Sequence, residues 1–180
     1  RYGMAKKKGG AISIHKYSNA TFENCTFKNN ESKYYGRAIN INNAETILKN
    51  IKFIENHAEK RGGALHIENG ALEAIDCEFE NNSSRFGGAI RNDGAKLKII
   101  DSTLKNNSST SGDAINYNYG ETEIINTKFL GNAAENKGGV FETHSGILNI
   151  TKSEFINNSA KRGAVVDNFS DTTLEDCRIS

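Results

Sequence analysis

Apolar and polar residues alternate along this chain in short runs broken at fixed places. In Leu72-Glu73-Ala74-Ile75-Asp76-Cys77-Glu78-Phe79, Leu72 and Ala74 fall on one face. Asp76 interrupts the phase, and Cys77 and Phe79 resume on the same side. Alternation over four to eight residues is the signature of a half-buried strand. The same layout recurs along the chain. Five positions before each Phe-column residue stand Phe22, Leu48, Ala74, Ile99, Ile124, Ile150 and Leu174. Two positions before it stand Cys25, Ile51, Cys77, Ser102, Thr127, Ser153 and Cys177. Between these inward columns lie Asn24, Asn50, Asp76, Asp101, Asn126, Lys152 and Asp176, read as corner residues that take left-handed φ. The pattern predicts short strands bending round a coil.

Two motifs fix the period. The first is Gly9-Gly10-Ala11-Ile12, repeated at Gly62-Gly63-Ala64-Leu65 and Gly87-Gly88-Ala89-Ile90. Variants begin at Gly36, Gly112, Gly138 and Gly163, where Arg37, Asp113 and Ala164 replace the second glycine in three of the four. Coils therefore start near 9, 36, 62, 87, 112, 138 and 163, a spacing of 25–27 residues. The second motif, F-x-x-N, keeps the same phase at Phe27/Asn30, Phe53/Asn56, Phe79/Asn82, Leu104/Asn107, Phe129/Asn132 and Phe155/Asn158. Repeats of this length are stacked units that bury a shared core. Helical repeats would show apolar residues at 3.6 spacing over ten or more positions, and leucine-rich and calcium-binding nonapeptide patterns are missing.

The reading is an all-β, right-handed single-stranded parallel β-helix, one segment over residues 1–180, of about seven coils with about three strands each. Coils stack roughly 4.8 Å apart, which makes a rod of roughly 30–35 Å. Asn30, Asn56, Asn82, Asn107, Asn132 and Asn158 are expected to form a ladder of side-chain amides bonded to the coils above and below. On the outside, Lys52 and Glu78 face each other on adjacent rungs, as do Lys128 and Glu154. Such surface pairs are worth a few tenths of a kcal/mol.

Composition agrees with this picture. There are 24 Asn, 17 Gly and no Pro, as suits a turn-rich β chain. The net charge of +1 gives no field to gather nucleic acid. No apolar run reaches the roughly 20 residues that span a bilayer, so direct membrane insertion of this segment is not expected. The chain enters and leaves mid-coil, and an open sheet edge invites aggregation. Flanking coils or caps of the same chain are therefore expected, with residues 1–8 as a partial coil or arm.

GGA-plus-aliphatic and F-x-x-N within one short unit resemble the repeats of chlamydial polymorphic membrane proteins. They are also similar to repeats of adhesin-like surface proteins of methanogenic archaea, which the Asn- and Lys-rich, Pro-free composition favours. The resemblance covers the chain in seven units. It implies an extracellular, surface-displayed β-helix whose usual role is adhesion, with a surface glycan or protein of another cell as partner. It carries no set of ligand-binding residues.

Candidate chemistry lies both in the stacking columns and outside them. Cys25, Cys77 and Cys177 share an inward column, and even Cys25 and Cys77 lie roughly 10 Å apart, too far for a disulfide. His15 and His144 share a column five rungs apart; His57 and His66 fall at other phases, so no chelating pair forms. No cofactor is expected. The stripe after each glycine motif reads Ser13, Asn40, His66, Arg91, Asn116, Glu142 and Asp167, and is taken as outward. In it Glu142 and Asp167 could form a carboxylate pair roughly 5 Å apart, as a polysaccharide lyase or hydrolase needs. Asp93, Asp113 and Asp171 read as solvated turn positions. Coils of nearly uniform length leave no inserted loops to wall a cleft, so a non-catalytic role is preferred. Tyr17, Tyr34, Tyr35, Tyr117, Tyr119 and Phe169 lie outside the core columns and offer faces for sugar stacking. Lys8, Lys60, Arg61, Arg85, Lys137, Lys161 and Arg162 form a basic ridge before the glycine turns. Of ten N-x-[ST] sequons, Asn19 and Asn168 are the loop sites open to a glycosylating host. A carbohydrate-active enzyme and a purely structural spacer remain as alternatives to the adhesin.

Overall fold

The computed structural model describes residues 4–5, 10–32, 38–112 and 114–180. Every strand pairing in it is parallel, and each strand pairs with its counterpart in the next coil. Three sheets result. The longest contains Ile39–Lys49 and Leu65–Ile75, and in later coils the same path splits in two, as in Ile90–Asp93 and Lys96–Ile100. The second sheet runs through the Phe column and has seven strands, from Thr26–Lys28 to Arg178–Ile179. The third has six, among them Ser83–Phe86 and Ser108–Ser111. The molecule is a parallel β-helix. Its coil number is about six rather than about seven, because seven strands of one column enclose only six steps. The proposed first two coil starts, at residues 9 and 36, lie outside the described residues.

The interior follows from the alternation. Phe53, Phe79, Leu104, Phe129 and Phe155 are fully buried in register. Their rings stack at 5.2 Å (Phe27–Phe53), 4.8 Å (Phe53–Phe79) and 5.0 Å (Phe129–Phe155). Leu104 interrupts the stack without breaking the column.

All seven predicted corners have positive φ: Asn24, Asn50, Asp76, Asp101, Asn126, Lys152 and Asp176. Asn and Asp take this conformation at least cost among residues with a Cβ. Two further bends escaped the sequence reading. One lies two residues after the Phe column, at Asn29, Glu55, Asn81, Asn106, Gly131 and Asn157. The other kinks the long sheet, at Asn43, Asn69, Gly70, Gly94, Gly120 and Gly146. The glycine motif has two distinct requirements. Its first glycine has φ between +60° and +68° at Gly62, Gly87, Gly112, Gly138 and Gly163. The second is held by space: a Cβ on Gly63 would lie 2.0 Å from the Gly88 carbonyl oxygen of the next coil.

The asparagine ladder is present. Asn56 Oδ1 accepts both the side-chain amide of Asn30 (2.8 Å) and its backbone N–H (3.1 Å). Asn56 donates in the same way to Asn82, and Asn82 to Asn107, at 2.9–3.0 Å. The series continues through Asn132 to Asn158. The second amide proton is used too: Asn82 donates to the Phe53 carbonyl at 2.9 Å and Asn107 to that of Phe79 at 3.0 Å. Each rung thus satisfies groups on two neighbouring coils. On the outer surface Lys52 pairs with Glu78 at 3.1 Å, and Lys105 with Glu80 at 3.2 Å.

Asn82→Ala should lower stability by about 1–3 kcal/mol in urea unfolding, because two donors on Asn56 and the Phe53 carbonyl lose their partner inside the protein. A loss below about 0.5 kcal/mol would remove the ladder from the account. The cysteine column provides a second test. All three thiols are free, and Cys77 is buried while Cys25 and Cys177 are half-buried. Burial pushes the Cys77 thiol up to about 11, with the Asp76 charge adding to it against hydrogen bonding to the backbone. In the native protein at pH 8 its alkylation should be about a hundredfold slower than in the unfolded chain, read by mass spectrometry. Equal rates in the two states would contradict a buried column.

Candidate functional site

The stripe after the glycine motif is correctly placed by sequence, but it is not open. Asn40, His66, Arg91, Asn116, Glu142 and Asp167 are all buried, although they point away from the apolar core. The reason is the glycine turn, which folds back over them. A Cβ on Gly112 would lie 2.7 Å from that of Asn116, and one on Gly138 would lie 2.7 Å from the Glu142 nitrogen. From Asn40 to Asp167 the expectation of a solvent-facing stripe is therefore corrected to a buried polar seam between turn and strand, whereas Ser13 is exposed as expected. Alternation continues past it, which creates a second outward column through Asn42, Glu68, Asp93 and, further along, His144 and Phe169.

Two clusters sit on this flank. In the first, Asp93 is the hub. Its Oδ1 accepts from Arg91 Nε at 2.8 Å and Nη2 at 2.6 Å. Its Oδ2 accepts from Arg61 at 2.9 Å and lies 3.0 Å from His66 Nε2. His66 Nδ1 in turn lies 2.9 Å from Asn40 Oδ1. Asp93 was read as a solvated turn residue, and the structure corrects this: it is 6% exposed. Burial alone would raise its carboxyl. The hydrogen bonds and charges of His66 and Arg91 outweigh that and hold it well below the usual carboxylate range. Both carboxylate oxygens are engaged, while the buried Nδ2 of Asn40 has no protein partner.

The second cluster is centred two to three rungs further along, on Glu142 and Asp167. Glu142 and Asp167 are register partners, as the sequence suggested. Arg162 grips Asp167 with two parallel bonds of 2.8 and 2.7 Å. Asn116 donates to Glu142 at 2.6 Å, and His144 Nε2 stands 4.0 Å from the same oxygen. The buried Oδ1 of Asn116 has no protein partner. Above these groups Phe169 is 61% exposed. The His144 ring lies parallel to it at 6.5 Å, and the Arg162 guanidinium is 5.7 Å from its centroid.

The aromatic candidates divide. Tyr17 is almost wholly exposed, and Tyr119 about half. Tyr34 and Tyr35 lie outside the described residues. Tyr117 is a correction: it is fully buried, with its hydroxyl 2.9 Å from Ser170 Oγ. It follows Asn116 in the alternation and so faces inward, in the column of Ile67 and Asn92. The sequence reading missed Asp93 and His144 as neighbours of the stripe, and it placed Arg162 only on a basic ridge. Extending the two-residue period across the whole strand would have found the first two. Among the described residues no group of three or more His, Cys, Asp or Glu could hold a metal ion. Among them too, no helix is long and apolar enough to cross a membrane.

Residues 76–93 match the family model of the Chlamydia polymorphic membrane protein repeat. That window holds the corner Asp76, Phe79, the ladder residue Asn82 and the turn Gly87-Gly88-Ala89-Ile90. The match spans no more than one coil, so this β-helix carries a repeat similar to that of the chlamydial family. No curated protein and no solved structure matches the chain. The repeat similarity points to a surface, adhesin-like role, and it falls on the residues that build the coil rather than on the second cluster.

Asp93→Asn should cost about 3 kcal/mol at pH 7, since Arg61, Arg91 and His66 would lose their shared counter-charge in a buried seam. The folded carboxyl titrates below the unfolded value of about 4, so its contribution is full above about pH 5 and is lost as pH falls. Urea unfolding of both proteins from pH 7 to pH 3 should show the gap between them closing with acid. A gap constant across that range would contradict the Asp93 assignment.

Proposed function

We propose that this chain is a surface-displayed, non-catalytic adhesin or stalk segment that attaches to a glycan-bearing or protein surface of another cell. What carries the reading is the match of residues 76–93 to a surface-protein repeat, on a solenoid whose recurring residues all serve stacking. The flank bearing the second cluster does not recur from coil to coil, and the proposal assigns partner contact to it. The extracellular location belongs to the same proposal.

One observation favours a second reading. Glu142 and Asp167 stand on adjacent rungs, the arrangement a carbohydrate-active β-helix could use. Against it, both oxygens of Asp167 are held by Arg162, and among the described residues no coil carries a long insertion over the pair.

Beads coated with the 180-residue chain should adhere to cells or glycan-coated surfaces above beads coated with an unrelated protein. The same chain should release no new reducing or unsaturated ends from acidic polysaccharides. Turnover that Glu142→Gln abolishes, without adhesion, would overturn the adhesin reading in favour of the enzyme.

A further inference from the structure

The outer face of the long sheet carries chemistry that neither cluster uses. Past the kink at Asn43, Asn69, Gly94 and Gly120, two outward columns run along the helix. The first reads Glu45, Ala71, Lys96 and Glu121 on consecutive rungs, and the second Ile47, Glu73, Lys98 and Glu123. Ala71 is the short side chain among long ones, with Glu45 and Lys96 in register on either side of it. A groove of about 470 Å³ opens there and extends from the coil of Asn19 to that of Glu123. Its central rungs have coils on both sides, so the depression comes from Ala71 itself.

The charge of the groove is one-sided. Glu45, Glu73, Glu121 and Glu123 line it against Lys96 and Lys98. Both lysines are already engaged: Lys96 Nζ stands 3.8 Å from Glu121, and Lys98 Nζ 2.9 Å from Glu123. The Glu123 bond and charge, with the Glu73 charge behind them, raise the Lys98 ammonium above its ordinary value. Glu45 and Glu73 stay in excess. The borders do not cancel them: Glu23 and Lys49 pair at 3.3 Å, exposed Asp76 and Asp101 line the corner, and the loop side adds Lys16. Further along the face, Asp171, Glu175 and Asp176 outnumber Lys152. A negative face on a chain of net charge +1 is a local segregation, and it repels phosphate polymers, nucleic acid and acidic sugars.

The floor narrows the class. Ile47, 37% exposed, is in register with Glu73 and shares its face with Glu45. Lys and Arg side chains lay an aliphatic stem along such apolar surface and keep a cationic head beyond it. Among the described residues no aromatic side chain lines the groove, so a sugar has no face to stack on. Among them, too, no three acids meet to hold a metal ion. The chain's own cations are poor occupants: Arg61 and Arg162 are held by Asp93 and Asp167, and Glu59 and Glu135 stand among the rest. A foreign segment remains. The groove follows the stacking direction for about 19 Å, the length of roughly six extended residues. We infer that it is a docking site for an extended, lysine- or arginine-bearing segment of a partner protein, its cationic heads set against Glu45 and Glu73. This surface is separate from the flank and stands without the attachment reading.

The test is fluorescence anisotropy of a labelled peptide alternating lysine and alanine, titrated with the full chain at low ionic strength. The peptide should bind, and Glu45→Gln with Glu73→Gln should weaken it about fivefold or more without moving the urea midpoint. Ala71→Arg, which fills the depression and adds the opposite charge, should abolish binding. Glu59→Gln with Glu135→Gln removes the same charge from another face and should bind as wild type. If the groove double variant moves the midpoint, Glu45→Gln alone serves and should weaken binding about twofold. Absence of peptide binding, an equal loss in the Glu59/Glu135 variant, or tighter binding of a glucosamine oligomer would overturn the site. So would self-association in sedimentation that the groove variants abolish, because a second copy would then be the occupant.

Discussion

Each coil of this solenoid must turn three corners, and every corner brings backbone N–H and C=O groups to the edge of an apolar interior. Buried groups of that kind need partners. At the turn after the Phe column the asparagine ladder supplies them, with one Oδ1 accepting two donors from the preceding coil and one amide group bonding both that coil and the next. That geometry works only if successive coils are in register, at the same height and angle. The ladder and the parallel sheets therefore enforce each other. Phe stacking at 4.8–5.2 Å follows from the same spacing. The near-constant repeat length is its consequence in sequence, since one extra core residue would move the amide off its column.

Much of this was legible from residues alone. Inward columns, corner residues, the ladder and the parallel path could be read because each demand recurs in every coil and leaves the same residue type each time. The two missed bends show the limit. At the long-sheet kink the residue varies between Asn43, Asn69, Gly94 and Gly120, and its position drifts between coils, so no column stands out. The bend after the Phe column was visible in the Asn doublets at 29–30, 81–82, 106–107 and 157–158, yet Glu55 and Gly131 blur it. A count of coils also needed the structure, because motif copies number the columns and not the turns between them.

The flank was legible only in part. Alternation gave the direction of His66, Arg91, Glu142 and Asp167, but not what lies over them. Whether an outward residue meets water depends on the glycine turn folding back, and that is a tertiary fact. Buried charge there is tolerable only when paired, which is why Arg61 and Arg162 reach over from the preceding loops. Sequence marked both as part of a solvated basic ridge. Tyr117 was misplaced for the converse reason: it lies beyond the familiar core columns, yet on the inward phase of a strand that continues further than the motif.

A division of labour results. What recurs serves stacking, and the second cluster is chemistry that occurs once along the flank. The central claim is that the ladder closes the interior, and native-state amide hydrogen exchange tests it most directly. Backbone N–H groups of Asn56, Asn82 and Asn107, each donating to the next Asn side chain, should exchange as slowly as the strand amide of Phe79. Exchange as fast as that of the exposed Ser145 amide would contradict the account.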